Sequence, residues 1–151
     1  MFHGSPEGSA ERARDQEVLR AETLREILGR LELSAASPGP LDFSFGSRTL
    51  ERLRSEAAFP LLAAGVSVEG SSSPFVPSVT REVGAVRVGI VGLSDLRDEA
   101  GDLPEGASAE DILASGRAAV GALHADIVVA LVSGDRRAAR LIATGIDGFD
   151  F

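Results

Sequence analysis

The stretch from Arg20 to Val66 reads RAETLREILGRLELSAASPGPLDFSFGSRTLERLRSEAAFPLLAAGV. Its first part continues a helical pattern that runs from about Ala10 to Leu31. Ala21, Leu24, Leu28 and Leu31 recur at i, i+3, i+7 and i+10 and are expected to face inward. Glu26 and Arg30 stand four apart and form a favourable pair on the solvated side. Leu33 to Ala36 suits a short strand. Ser37 to Gly46 is a loop, broken by Pro38, Gly39 and Pro40. Ser47 stands as an N-cap for a helix to about Ala58, with Leu50, Leu53 and Ala57 inward. Pro60 to Val66 is a short apolar run, read as a buried strand. Helix, strand, helix, strand in this order points to an α/β layer.

Working outward, residues 67–74 are a loop. Val76 to Val83 and Val86 to Val91 are strand candidates joined by Gly84-Ala85, a pair suited to a type II′ hairpin turn. The second is nearly all apolar, so it is expected in the middle of a sheet. Leu93 to Ala107 is a long acidic loop. Ser108 to Leu123 is a helix, with Ser108 and Asp111 at capping-box spacing and Ile112, Gly116, Ala119 or Val120, and Leu123 inward. Asp126 to Val132 is a β-branched run expected to be covered on both faces. Asp135 to Ala143 is a last helix, and Gly145 to Phe151 is extended. The fold class is α/β, with mixed β-sheet layers flanked by helices. Residues 1–10 read as a flexible tail and 11–151 as one domain.

Composition narrows the chemistry. A chain of 151 residues, 44% hydrophobic and 25% charged, suits one folded core. Its net charge of −8, with arginines interleaved among carboxylates, argues against nucleic acid, which needs a basic stripe. The longest strongly apolar run, Ile127 to Val132, falls far short of the roughly 20 residues of a membrane span. The opening Met1-Phe2-His3-Gly4 lacks the basic and apolar regions of a signal peptide. All 15 basic residues are Arg, so lysine-based covalent or phosphate chemistry is absent. No Cys is present for a thiolate site, and no Asn for an amide ligand. The two His are His3, in the tail, and His124, at a helix end where a partial positive charge suits the dipole.

Four segments in order carry a resemblance. The helix, loop and D-F-x-F-G of residues 20–46, followed by Phe59-Pro60-Leu61-Leu62-Ala63-Ala64, are the first. Phe75 to Leu93 (FVPSVTREVGAVRVGIVGL), Ala125 to Gly134 and Gly145-Ile146-Asp147 are the others. Together they resemble the 5′-nucleotidase branch of the calcineurin-like metallophosphoesterases, over about Arg20 to Phe151. The resemblance implies part of an α/β sandwich and a family activity, hydrolysis of nucleotide phosphate monoesters. In that chemistry two divalent metals clamp the phosphate and activate a bridging water. It also implies a setting that is often periplasmic or extracellular.

Carried over residue by residue, the family's glycine falls on Gly39, its metal-binding Asn on Pro40 and its catalytic His on Leu41. Its next acidic residue falls on Asp42, and a later metal-binding His on Ser133. The opening D-x-H and G-D motifs have no counterpart, and the closing G-H-x-H would lie beyond Phe151. Asp42 is therefore the one candidate metal residue at a matched position, and no catalytic residue is assigned. Asp95, Asp98, Asp135 and Asp147 are further oxygen donors for a hard cation. The expected function is a phosphoesterase-like domain that lacks the Asn and His ligands and is inactive by itself: a pseudoenzyme, interaction domain or fragment. One alternative is an active hydrolase with a reduced site at Asp42 and ligands from further chain. A second is a small nucleotide-binding module using a turn at Gly89 to Gly92. A truncated scaffold would leave an open sheet edge, so self-association or a protein partner is expected there.

Overall fold

The computed structural model describes residues 6–44, 46–71, 75–98 and 100–151. The order is α1 (Pro6–Arg30), a 3₁₀ turn (Pro40–Phe43), α2 (Ser47–Ser55), β1 (Val66–Val68), β2 (Ser78–Val83), β3 (Val86–Ser94), β4 (Ala107–Ala109), α3 (Ile112–Gly121), β5 (Ile127–Ser133) and α4 (Arg136–Gly145). Strand β3 is central, antiparallel to β2 and parallel to β5. The hairpin turns at Gly84, with φ +64, directly between paired Val83 and Val86. Positive φ at the first central residue alone is the type II′ requirement.

The apolar run after α2 makes a short parallel ladder instead of a full strand. Leu62 donates to the Ala36 carbonyl at 2.7 Å, and Ala63 to the Val76 carbonyl at 3.1 Å. Ala64 donates to the Gly92 carbonyl at 2.8 Å, which ties this run to β3. Alternation then splits its side chains. Ala63 joins one core with Phe43, Leu50, Phe75 and Leu96, while Ala64 joins another with Val91, Leu93, Ile142 and Ile146. The mixed sheet and its flanking helices are the α/β class expected from the pattern.

Several expectations are corrected. The first helix already runs from Pro6, so residues 6–10 are helical, while the rest of the supposed tail lies outside the described residues. Its phase is also rotated. Leu24 is 56% exposed and Leu31 72% exposed. The side turned to the body is set by polar pairing with α2: Arg52 to Glu22 at 2.7 Å, and Arg25 to the Glu56 carbonyl at 2.5 Å. Gly29 lies against Ala58. The Glu26–Arg30 pair forms on the exposed side, at 2.7 Å. Gly46, not Ser47, takes the N-cap position of α2, which stops at Ser55.

Ser108 does not cap α3. It lies in β4, which begins where the acidic loop ends, and pairs across to Ser67 of β1. Asp111 caps instead, its carboxylate accepting from Ala114 N at 2.8 Å. Strand β5 is half-buried along its length, not covered on both faces. It is the last strand of the sheet, and its outer edge receives the chain's own end: Ala130 donates to the Phe151 carbonyl and Asp150 to the Val128 carbonyl, each at 2.8 Å. Gly89 and Gly92 sit inside β3, not in a turn. Gly92 faces the Leu62 backbone, so the glycines serve close packing.

The parallel pairing of β3 and β5 is fixed at its start by Asp126. Its carboxylate accepts from Arg87 N at 2.8 Å, with the Arg87 guanidinium 3.6 Å away. Those contacts, the backbone hydrogen bond first, hold the Asp126 carboxyl below its ordinary value. A depressed carboxyl stabilises the fold above its unfolded pKa, and loses that contribution as pH falls through the lower folded value. Asp126→Asn is therefore expected to narrow its stability gap from the parent as the medium is acidified through that window. A gap that widens on acidification would contradict the assignment. The site is exposed, so the effect is small.

Candidate functional site

Strands β3 and β5 end side by side, Ser94 opposite Ser133. Asp95 N continues the ladder to the Ser133 carbonyl at 2.8 Å. Crevices beyond the carboxyl ends of parallel strands are where α/β sheets bind ligands. The loop after Ala36 closes over this end. Ser37 Oγ lies 2.9 Å from Ser94 Oγ. A Cβ on Gly39 would stand 2.9 Å from Ser133 Oγ, so the loop rests directly on the β5 end. The structure thus brings Gly39, Pro40, Leu41 and Asp42 to the same place as Ser133. Ser37 and Ser94 belong to this cluster and were not singled out from sequence. Their signal is a hydroxyl standing where an apolar run stops.

The donors at this place are few and already engaged. Pro40 has no side-chain donor or acceptor. Leu41 is 84% exposed hydrocarbon. Asp42 turns back on its own loop, Oδ2 accepting from Gly39 N at 2.6 Å, which fixes the 3₁₀ turn. Asp95 accepts from Arg97 N at 3.3 Å, and Asp98 from Ala100 N and Asp102 N at 2.9 Å. Asp135 caps α4 by accepting from Ala138 N at 2.7 Å.

Other candidates stand elsewhere. His124 precedes β5 and so lies at the far end of that strand from Ser133, roughly 20 Å by strand rise. Asp147 follows α4, at the opposite end of that helix from Asp135. His3 lies outside the described residues. Among the described residues no three His, Asp or Glu side chains gather closely enough to hold a metal ion. Among the described residues the donor set does not fit a pair of metals.

No family model matches the sequence, and no curated protein matches it. Solved structures do. A calcineurin-like phosphoesterase from Bacillus subtilis superposes with a TM-score of 0.71 at 22% identity, over 98% of this chain and 53% of that one. The NAD nucleotidase of Haemophilus influenzae gives 0.73 at 17% identity, over 89% of this chain and 25% of that one. A 5′-nucleotidase precursor from Thermus thermophilus gives 0.65 at 24% identity, over 75% of this chain and 24% of that one. The chain therefore spans between a quarter and about half of the proteins it resembles. Among the described residues no helix is long and apolar enough to cross a membrane. These superpositions show that the chain carries part of the fold seen in these 5′-nucleotidase and calcineurin-like phosphoesterase structures.

Proposed function

We propose that residues 11–151 form one incomplete metallophosphoesterase-like domain that keeps the scaffold of a phosphoester hydrolase without its two-metal centre. By itself it serves in interaction or assembly, not turnover. One observation carries this reading: Gly39 lies against Ser133 Oγ and Leu41 points into solvent, so this loop and this strand end offer no nitrogen ligand where they come together. A neutral serine hydroxyl is a poor replacement for imidazole as a ligand. Hydrocarbon at Leu41 offers nothing to a developing negative charge. The net charge of −8 keeps nucleic acid off the list of partners.

A second reading has support from the position of Asp42. That carboxylate lies on the loop seated over Ser133, so further chain or a partner supplying His and Asn ligands would find one oxygen donor in place. The resulting enzyme would hydrolyse phosphate monoesters with a divalent metal.

Metal content and phosphatase assays on the purified chain separate the two. The expected result is no stoichiometric zinc, manganese or iron, and no hydrolysis of a nucleoside monophosphate or a generic aryl phosphate with Mn²⁺ supplied. Asp42→Ala should then match the parent in both assays. Stoichiometric metal with turnover that Asp42→Ala abolishes would overturn the first reading in favour of the second.

A further inference from the structure

We propose that the chain associates head to tail, the arginine-bearing face of α4 on one copy docking into an acidic groove on a second copy. The groove runs between residues 40–44 on one side and residues 102–106 on the other and has a volume of about 800 Å³. Its apolar floor is Phe43, Leu96 and Leu103. Its charged lining is acidic, Glu69, Asp98, Asp102 and Glu105, with no basic side chain among the described residues that line it. Arg97, next to this wall, donates to the Gly101 carbonyl of its own loop at 2.8 Å. A groove of this kind favours a cationic segment that also brings a hydrocarbon anchor.

The same chain supplies such a segment. Helix α4 buries Ala138 and Ile142 and leaves Arg136, Arg137, Arg140 and Leu141 outward, with Leu141 half-exposed. At 100° per residue, Arg137, Arg140, Leu141 and Thr144 share one face. Among the described residues none of these arginines has a carboxylate partner within its own copy. Acidic groove and basic helix are thus two complementary charged surfaces on one molecule. Docking a helix face into such a groove is an established recognition mode. Because groove meets helix, the contact is heterologous, and repeating it gives rings or chains instead of a closed two-fold pair. The inference does not depend on whether the chain holds metal.

The test is sedimentation velocity with light scattering on the 151-residue chain, over a concentration series at low and high salt. The mass is expected to rise with concentration at about 50 mM salt, and association to weaken about tenfold or more near 0.5 M. Arg137→Glu with Arg140→Glu should remain monomeric under the low-salt conditions. So should Glu69→Arg with Glu105→Arg. All four positions are on the surface, and circular dichroism confirms that each double variant is folded. Mixing the two variants in equal amounts should restore association, because each reversed surface now meets its complement. A parent that stays monomeric overturns the proposal. So does association that neither charge reversal moves, association lost instead on Leu24→Glu in α1, or a mixture that stays monomeric.

Discussion

Gly92→Ala is expected to destabilise the protein by about 3 kcal/mol or more, the upper part of the range for overpacked cores. Gly92 lies between Val91 and Leu93, both fully buried. Its N–H donates to the Pro77 carbonyl at 3.1 Å, and its carbonyl accepts from Ala64 N at 2.8 Å. A Cβ there would run into the Leu62 carbonyl and the Leu62 Cβ. Leu62 cannot step aside, because its own N–H is bound to Ala36 at 2.7 Å and its backbone is bridged to Val76. The new methyl would press on backbone and on a Cβ fixed to it, so relief requires parting the sheet from the ladder beside it. Gly89, in the same strand, provides the control. A Cβ there would meet Leu123 Cδ1 at 2.8 Å, the far end of a flexible side chain, and Ala125 Cβ at 3.0 Å. Gly89→Ala is therefore expected to cost less, about 1 kcal/mol. Chemical denaturation of both variants decides the matter. Equal losses, or a Gly92→Ala variant as stable as the parent, would show that β3 has slack that this packing denies. With a total stability of roughly 5–15 kcal/mol, Gly92→Val is expected to leave little folded protein.

That contact also shows what a sequence conveys and what it withholds. Helices α1 to α4, the hairpin turn at Gly84-Ala85 and the central place of β3 follow from local pattern and backbone chemistry, whereas the strand expected at Leu33 to Ala36 is a single bridge at Ala36. The glycines of Val88 to Gly92 suit a turn by local pattern, and only the position of Leu62 shows that they serve close packing inside β3. The phase of α1 was misread because apolar spacing defines a stripe and does not say which stripe wins. Cross-helix pairs at Glu22 and Arg25, with partners thirty residues away, turn Leu24 and Leu31 outward. Strand β4 was hidden because Ala107-Ser108-Ala109 has weak strand propensity, and its pairing with Val66–Val68 is purely tertiary. At the site, Gly39 lies against Ser133 Oγ, a contact between distant segments that local pattern does not show. Ser37 and Ser94 escaped notice since a serine at a strand end carries no signature of its own. The groove and the free face of α4 escaped for a related reason. Each surface is assembled from distant segments, and charge in a sequence does not reveal what it faces.

Leu93→Ala is expected to cost about 3–4 kcal/mol, as a fully buried leucine does when its neighbours cannot collapse. Leu93 packs with Val91, Ala119, Ile142 and Ile146 in the core under α3 and α4. It also reaches Gly116 of α3, where a Cβ would lie 3.2 Å from Leu93 Cδ2 and would crowd Ile146 Cδ1 as well. Glycine at 116 thus gives up its side chain so that leucine at 93 and isoleucine at 146 can fill the space. This makes the two positions energetically dependent, and a double-mutant cycle measures the dependence. Gly116→Ala in the parent adds a methyl to a full core and should destabilise. In the Leu93→Ala background the same methyl enters space the leucine has left, so its penalty should shrink by about 1 kcal/mol or change sign. Ser94→Ala is the companion measurement. Ser94 is buried beside Leu93 and exchanges a hydrogen bond with Ser37, so its loss should cost about 1 kcal/mol, without altering the cycle. If the Leu93 and Gly116 penalties simply add, the fit between strand and helix is not what holds the β3 end in place. The seat of the Ser37 to Asp42 loop would then have to be sought in the ladder around Leu62.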